Sequence, residues 1–175
     1  MLFLLFLSLA MANGPRVQLR TGVEQRIQSP SPDWPASITF CGEVRIAGPL
    51  SFAACGNGAG ILHQRDVADV AHFRLQGLSP EVQRGGWNGR GYVGGGIMEI
   101  QRGPDAPGFR FGAGEAGQVE AAGPEVSLGL RLNRADTPVI LDLSGGVAHV
   151  PGAEVVFGIE QTVLPSIGLT VGVGY

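Results

Sequence analysis

Apolar and polar residues alternate along most of this chain, and that alternation constrains the fold more than any other feature. Between residues 16 and 27 the even positions are mostly charged or polar, whereas the odd positions include Val17, Leu19, Thr21, Val23 and Ile27. A period of two is typical of β-strands with one apolar and one polar face. A helical period of 3.6 residues is hard to find, so we expect an all-β fold.

The alternating segments divide the chain into a meander of neighbouring hairpins. Turn-forming clusters such as Gly48-Pro49 and Gly123-Pro124 separate them. The candidate strands are near residues 16–27, 36–47, 50–58, 67–77, 90–101, 108–119, 125–133, 138–149, 153–163 and 166–175. The pattern predicts an antiparallel up-and-down barrel of about ten strands, or eight if two of these segments merge. Most candidates have the ~9–11 residues that a tilted strand needs to cross a bilayer.

The N-terminal segment differs from the rest of the chain. Residues 1–12 form an apolar run that ends in Ala10-Met11-Ala12, the small-residue pattern that a signal peptidase accepts. We therefore expect a signal peptide over residues 1–12 and one β-barrel domain over residues 13–175. After residue 12 the apolar runs are too short for a transmembrane helix.

Composition excludes some classes of function. The net charge is −3, all the basic residues are Arg, and only 15% of the residues are charged, against roughly 25% in soluble domains. Nucleic acids are not expected partners, because binding their phosphates requires a basic surface. The low charge also fits poorly with a soluble barrel, whose outer face would carry many charges.

The two faces of the predicted strands differ in chemistry. The apolar face carries every Phe and Tyr after the signal peptide, namely Phe40, Phe52, Phe73, Tyr92, Phe109, Phe111, Phe157 and Tyr175. The opposite face mixes small residues with charges of both signs, which suits a narrow lumen filled by side chains. The lumen network that we predict comprises Arg20, Glu24, Glu43, Arg45, Arg74, Glu99, Arg131, Asp142 and Glu160.

The end of the chain points to a known class. Ile167 and then Leu169, Val171, Val173 and Tyr175 place an apolar residue at every second position up to a terminal aromatic. This segment resembles the C-terminal strand of small bacterial outer-membrane β-barrel proteins. The resemblance implies an even-stranded barrel in the outer membrane of a Gram-negative bacterium, with both termini in the periplasm. It also implies that the barrel-assembly machinery recognises Leu169, Val171, Val173 and Tyr175, and we expect a monomer.

Alternation alone leaves a second interpretation open. A periplasmic or secreted soluble β-barrel, similar to a lipocalin, would show the same period with the apolar face inside, around an apolar ligand. In the membrane interpretation the role is structural, adhesive or that of a narrow pore. A general porin is not expected, since large aqueous channels appear only near 16 strands.

Two cysteines flank the Gly48-Pro49 turn symmetrically. A hairpin centred on residue 48 would pair Ile46 with Leu50, and Cys41 with Cys55. Residues opposed in this way have Cβ atoms ~4.5–5.5 Å apart, close to disulfide geometry. We therefore predict a Cys41–Cys55 bridge on the polar face.

The sequence contains few candidate catalytic residues. His63, Asp66 and Asp69 lie around the third predicted loop, while His72 and His149 lie on predicted strands. A nucleophile, a base and an orienting group must converge for nucleophilic catalysis, and the sequence brings no such trio together. We expect no enzyme activity, no cofactor and no metal site.

Overall fold

A computed structural model describes residues 16–26, 37–57, 69–102, 119–134, 136–158 and 160–175. Within these ranges there are nine strands and one short helix. They are β1 Val17–Arg26, β2 Ser37–Ala47, β3 Leu50–Gly56, β4 Asp69–Leu78, β5 Val82–Arg84, β6 Trp87–Arg102, β7 Val119–Arg134, β8 Val139–His149, α1 Ala153–Phe157 and β9 Val163–Gly174. The predicted signal peptide, most of the candidate strand at 108–119, and Phe109, Phe111, His63 and Asp66 lie outside the described residues.

The strands close into a barrel. Strands β1 to β4 pair in chain order, and β6 to β9 do the same. The barrel closes because β1 pairs with β9 and β4 pairs directly with β6. Every pairing is antiparallel. The barrel thus has eight strands, with β5 as an extra strand on β6. The predicted all-β, up-and-down barrel is confirmed in its eight-stranded form.

The two ends of the barrel differ. Arg16 and Tyr175, the first and last described residues, meet at one end, which we call the terminal end, where the Arg16 backbone N–H donates to the Tyr175 carbonyl at 2.7 Å. The connections at 48–49, 79–86 and 135–138 lie at this terminal end. At the opposite end, which we call the loop end, β1, β3, β6 and β8 end and β2, β4, β7 and β9 begin.

One candidate strand is a helix instead. Residues 153–157 form α1, bounded by Gly152 and Gly158 in left-handed conformations, so the predicted strand at 153–163 is wrong. The buried residues Ala153 and Val156 are three positions apart, and Val155 between them is exposed. Over only five residues, this helical spacing is hard to distinguish from the alternation of a strand. Of the described residues, none belongs to a helix long and apolar enough to cross a membrane.

Strand β7 runs through a dipeptide that the sequence marks as a turn. Gly123-Pro124 lies inside the strand and pairs with Met98 and Ile97 of β6. Proline is tolerated here because the ladder between β7 and β8 ends at Glu125, so the missing N–H faces no ladder partner. A Cβ on Gly123 would collide with the His149 carbonyl oxygen, so this position requires glycine.

The hairpin of β2 and β3 places the two cysteines opposite each other. Cys41 pairs with Cys55, and the structure contains the Cys41–Cys55 disulfide. The predicted pairing of Ile46 with Leu50 is wrong, because a β-bulge between Arg45 and Ala47 shifts the register and Ala47 pairs with Leu50.

The barrel is polar inside and apolar outside. Buried side chains in the lumen include Arg20, Glu43, Arg74, Arg131 and Asp142, whereas large apolar side chains are exposed on the outer face. An apolar cluster closes the lumen at the loop end beneath α1; it consists of Val70, Met98, Ile100, Ala121, Ala148, Val150, Ala153, Val156 and Leu164. This arrangement is the reverse of a soluble barrel around an apolar ligand.

Tyr92 corrects one facial assignment. The sequence places it on the apolar outer face, but it is buried in the lumen. Strand β6 carries apolar residues at both parities, so its pattern does not identify the inner face. The structure makes room for the Tyr92 ring opposite Gly129, where a Cβ would overlap the ring.

We expect Gly129→Ala to destabilise the barrel by about 1–3 kcal/mol, the usual cost of forcing an extra methyl into a packed interior. Gly42→Ala is the matched control, because the nearest atom to its added Cβ is Leu19 Cδ2 at 3.9 Å. The measurement is the urea midpoint of the refolded protein in detergent. Equal midpoints for the two variants would contradict the packing of Tyr92 against Gly129.

Candidate functional site

Two arginines and two carboxylates form a buried cluster near the terminal end of the lumen. Arg20 on β1 contacts Glu43 at 3.2 Å and Asp142 at 2.8 Å. Arg131 on β7 contacts the same two carboxylates, at 2.6 Å for Glu43 and 3.1 Å for Asp142. We call these four residues the arginine cluster. Its charges balance, and each guanidinium is shared between both carboxylates, which is what burial of charge requires.

Neutral side chains complete the arginine cluster. The Tyr92 hydroxyl donates to Asp142 Oδ1 at 3.0 Å, and the Arg131 guanidinium carbon lies 5.1 Å from the centre of the Tyr92 ring. Arg20 also donates to Gln18 at 3.4 Å, and Arg131 donates to Gln76 at 3.5 Å. These contacts occupy further donors and acceptors of the charged groups inside the lumen.

A second cluster surrounds His72, closer to the loop end. His72 Nδ1 lies 2.8 Å from Glu125 Oε2, and His72 Nε2 lies 3.0 Å from Glu24 Oε1. Arg74 donates to both oxygens of Glu125, each at 2.9 Å. We call these four residues the histidine cluster. It joins β1, β4 and β7 across the lumen, and both ring nitrogens of His72 face carboxylate oxygens.

Arg45 lies at the terminal mouth of the barrel, half-buried. It lines a small cavity together with Gln18, Leu78, Glu81, Arg90, Arg131, Asn133 and Ile140. Arg90 donates to Glu81 at 2.6 Å, which ties the segment after β4 to the lumen wall. Charged side chains therefore continue from the arginine cluster to the terminal mouth.

The disulfide also lies on the inner face, since residues 41 and 43 share a parity and Glu43 faces the lumen. Cys55 pairs with His72 in the ladder between β3 and β4. The bridge thus covers the wall beside the histidine cluster. No group of three or more His, Cys, Asp or Glu residues among those described is placed to hold a metal ion.

The structure brings most of the predicted lumen residues together. Arg20, Glu43, Arg131 and Asp142 form the arginine cluster, Glu24 and Arg74 belong to the histidine cluster, and Arg45 is at the terminal mouth. Two predicted lumen residues, Glu99 and Glu160, lie elsewhere.

Glu160 is exposed in the connection between α1 and β9, because the segment predicted as a strand at 153–163 begins with the helix α1. Glu99 is fully buried, yet it shares its face of β6 with the exposed residues Val93 and Ile97. That face is the outer one, since the alternate residue Tyr92 fills the lumen. The prediction that Glu99 lies in the lumen is therefore wrong. As with Tyr92, the cause is that β6 carries apolar residues at both parities.

Sequence reasoning missed Glu125, Tyr92 and the glutamines of the lumen. Glu125 follows Gly123-Pro124, which the sequence predicts to be a turn. The prediction therefore places Glu125 at the start of a strand and leaves it out of the lumen network. The sequence signal that identifies Glu125 as a lumen residue is its spacing along β7. It lies two residues before Ser127 and six before Arg131, so all three are on one face of the strand, and all three are buried.

The predicted C-terminal signal lies on the outer face. Leu169, Val171 and Val173 are exposed on β9, and Tyr175 is 80% exposed.

Comparison with known proteins identifies no family for this chain. No family model and no curated protein matches this chain.

Solved structures similar to it include two of Ail, the attachment invasion locus protein of Yersinia pestis. The structure in complex with the heparin analogue sucrose octasulfate has 9% identity and a TM-score of 0.43. The second Ail structure has 10% identity and a TM-score of 0.40. Each match covers 91% of this chain and 95% of the Ail chain.

We expect Arg131→Met to cost about 3–5 kcal/mol, because it leaves two buried carboxylates with one remaining arginine. Arg134→Met is the control, since Arg134 and Asp136 form an exposed pair in the turn after β7. The hydrogen bond from Arg134 holds the pKa of Asp136 below its ordinary value, but solvent weakens the contribution of the pair to stability. Urea unfolding in detergent measures both variants. A similar midpoint for Arg131→Met and wild type would contradict a stabilising arginine cluster.

Proposed function

We propose that this chain is a small outer-membrane β-barrel of a Gram-negative bacterium, with a closed lumen and a structural or adhesive role. The observation that carries the proposal is the apolar belt. Each barrel strand contributes at least one exposed large apolar side chain to the outer face: Leu19, Phe40, Leu50, Leu75, Val93, Leu128, Leu143 and Leu169. An apolar surface that encircles the molecule is far larger than the patches that water-soluble monomers expose.

Strand length and closure support a bilayer environment. Strand β1 has 10 residues, β8 has 11 and β9 has 12, which is sufficient to cross the hydrocarbon core at a barrel tilt. Closure satisfies the backbone hydrogen bonds between barrel strands, as lipid requires. Because Arg16 and Tyr175 meet at the terminal end, that end would lie in the periplasm, and the loop end would face outward.

The assembly of the barrel follows from the same face. The exposed apolar residues of β9 and the exposed Tyr175 form a strand end that the barrel-assembly machinery could recognise. Because the barrel strands already have neighbours on both sides, we expect a monomer.

The lumen argues against a pore. Within the arginine cluster and within the histidine cluster, buried side chains from different walls of the barrel contact each other across the interior. The apolar cluster under α1 then covers the loop end. An eight-stranded barrel is about wide enough to be filled by its own side chains. The surface of the barrel, rather than its interior, is therefore where a structural or adhesive role would be performed.

The apolar belt is tested by two arginine substitutions at equally exposed residues. Leu128 on the belt and Val155 on α1 are each 65% exposed. We expect Leu128→Arg to cost about 2–4 kcal/mol if residue 128 lies near the bilayer midplane, and to reduce the membrane-bound folded fraction. Val155→Arg should leave this fraction unchanged.

The fraction is measured by membrane fractionation followed by SDS gels with and without boiling, since a folded barrel changes mobility on boiling. If both variants fold and fractionate as wild type does, the outer face is not in lipid and the membrane assignment fails.

A separate measurement tests the closed lumen. Purified protein inserted into a planar lipid bilayer should give no regular conductance steps, because the described lumen side chains are bonded across the interior. Recovery of heat-modifiable protein from the same bilayers confirms insertion. Reproducible steps of one size would contradict the closed lumen and favour the narrow-pore role.

A further inference from the structure

A row of cationic and aromatic side chains crosses the outer face of the barrel at the terminal end. Arg84 on β5 pairs with Trp87 on β6, and Trp87 pairs with Arg134 on β7, so the three side chains share one face. We call these three residues the rim row. All of them are exposed, and their face is the outer one, since Trp87 has the same parity along β6 as the exposed residues Val93 and Ile97.

A tight turn holds Arg84 and Trp87 at directly opposed positions. Gly85 and Gly86 connect the two residues, and both have a positive φ, 59° and 79°. Two consecutive positive φ angles are characteristic of the type I′ turn, whose twist matches that of the strands it joins. Glycine adopts this conformation without steric cost, so the rim row begins at a geometrically defined hairpin.

The rim row lies at the boundary of the apolar belt. The next row toward the loop end contains Val82 and Leu132 on either side of Gly89, and Val82 is 68% exposed. From Trp87 to the exposed Ile97 the strand rises about 33 Å, or about 25 Å along the membrane normal at a tilt of about 40°. That height matches the apolar band of outer-membrane barrels. In the barrel proposed above, Trp87 therefore lies at the membrane–water interface, where tryptophan is enriched.

The rim row carries a positive charge that its protein neighbours do not balance. Arg134 donates to Asp136 at 2.7 Å and 3.2 Å, so this pair is neutral overall. Among the residues that the structure describes, Arg84 makes no ion pair and no side-chain hydrogen bond. Glu81, the nearest acidic residue before it in the chain, accepts from Arg90 at 2.6 Å. Residues 1–15 and residue 135, which adjoin described residues of this end, contain no Asp or Glu.

An anionic lipid headgroup matches this combination of groups. Guanidinium groups bind phosphate oxygens through charge-assisted hydrogen bonds, and the indole N–H of tryptophan is a further donor. Arg84 and Arg134 are two strand spacings apart, about 10 Å, so their long side chains can converge on one phosphodiester. A headgroup with a net negative charge balances the extra charge of the rim row, whereas a zwitterionic headgroup carries its own ammonium group.

We propose that the rim row binds the phosphodiester of an anionic phospholipid, of the phosphatidylglycerol class, in the periplasmic leaflet. Arg84 supplies the unbalanced charge, and Arg134 shares its guanidinium between Asp136 and the phosphate. The indole of Trp87 lies between them at the interface. This inference rests on the proposed outer-membrane location and adds to it a preferred lipid for the wall formed by β5, β6 and β7.

The experiment measures which lipid contacts Trp87. The chain has two tryptophans, so every sample carries Trp34→Phe and fluoresces from Trp87 alone. The chain without its predicted signal peptide is refolded into vesicles of one fixed mixture of phosphatidylcholine and phosphatidylglycerol. Either lipid carries bromine on its acyl chains, because bromine quenches a neighbouring indole. We expect phosphatidylglycerol to bind beside Trp87 about fivefold more strongly than phosphatidylcholine, the factor that one arginine near an anionic surface supplies.

Three variants test the charges of the rim row. Arg84→Gln should reduce the preference to about one, and Asp136→Asn should increase it, because that change releases the guanidinium of Arg134. Arg16→Gln is the matched control. Arg16 is an exposed arginine at the same end, but it adjoins β1, on the wall opposite β6, so the preference at Trp87 should not change. Inorganic phosphate added at constant ionic strength should not reduce the preference either.

The outcomes separate this inference from the proposed function. Equal quenching by the two brominated lipids, or an unchanged preference in Arg84→Gln, would overturn the inference while leaving the barrel in the bilayer. A preference that inorganic phosphate removes would assign the rim row to a free anion and overturn the lipid. Absence of quenching by either lipid would overturn the outer-membrane location together with the inference. Mobility on SDS gels with and without boiling shows that each variant is folded.

Discussion

The arginine cluster is the interaction on which the rest of the structure depends. Arg131 on β7 donates to Glu43 on β2 at 2.7 Å, and these strands are on opposite walls. Arg20 on β1 reaches Asp142 on β8 past the intervening β9. Buried ions of this kind are costly unless each finds its partner. Only a closed barrel brings these four strands around one interior, so burial of the charges and closure of the sheet require each other.

Burying the charges determines the outer surface. When one parity of each strand is committed to a charged interior, the other parity must face outward, and in this chain it is rich in Val, Leu, Ile and Phe. A sheet with this distribution is unsuited to water on its outer face, whereas hydrocarbon matches it. The interior also limits side-chain size: Gly129 leaves the space that the Tyr92 ring fills, which brings the Tyr92 hydroxyl to Asp142. Polar interior and apolar exterior are two results of one alternating pattern.

The sequence predicts the faces best where charges occur at only one parity. In β1 the alternation of Arg20 and Glu24 with Leu19 and Val23 leaves one possible assignment, and the structure agrees with it. In β6 both parities mix apolar residues and glycines with polar or charged residues, so the pattern predicts the wrong faces for Tyr92 and Glu99. Parity in such a strand is determined by its neighbours, because β6 must match both β4 and β7 in register. Periodicity is a local signal and contains no information about those neighbours.

Strand boundaries failed for similarly physical reasons. Gly123-Pro124 has the composition of a turn, but it lies in a strand because the pairing of β7 with β8 ends one residue later. Over the five residues of α1, a helical spacing of three and an alternating spacing of two make nearly the same pattern. The choice is made by burial, since Ala153 and Val156 belong to the same buried apolar cluster as Ile100 and Leu164.

The side chains that fill the lumen contact one another and stabilise the barrel. Charged side chains occupy the lumen from the terminal mouth to the histidine cluster, and apolar side chains occupy its loop end. An interior packed in this way stabilises the barrel and leaves its lumen groups engaged with one another. A structural or adhesive role of the kind proposed above would then depend on groups that face away from the lumen.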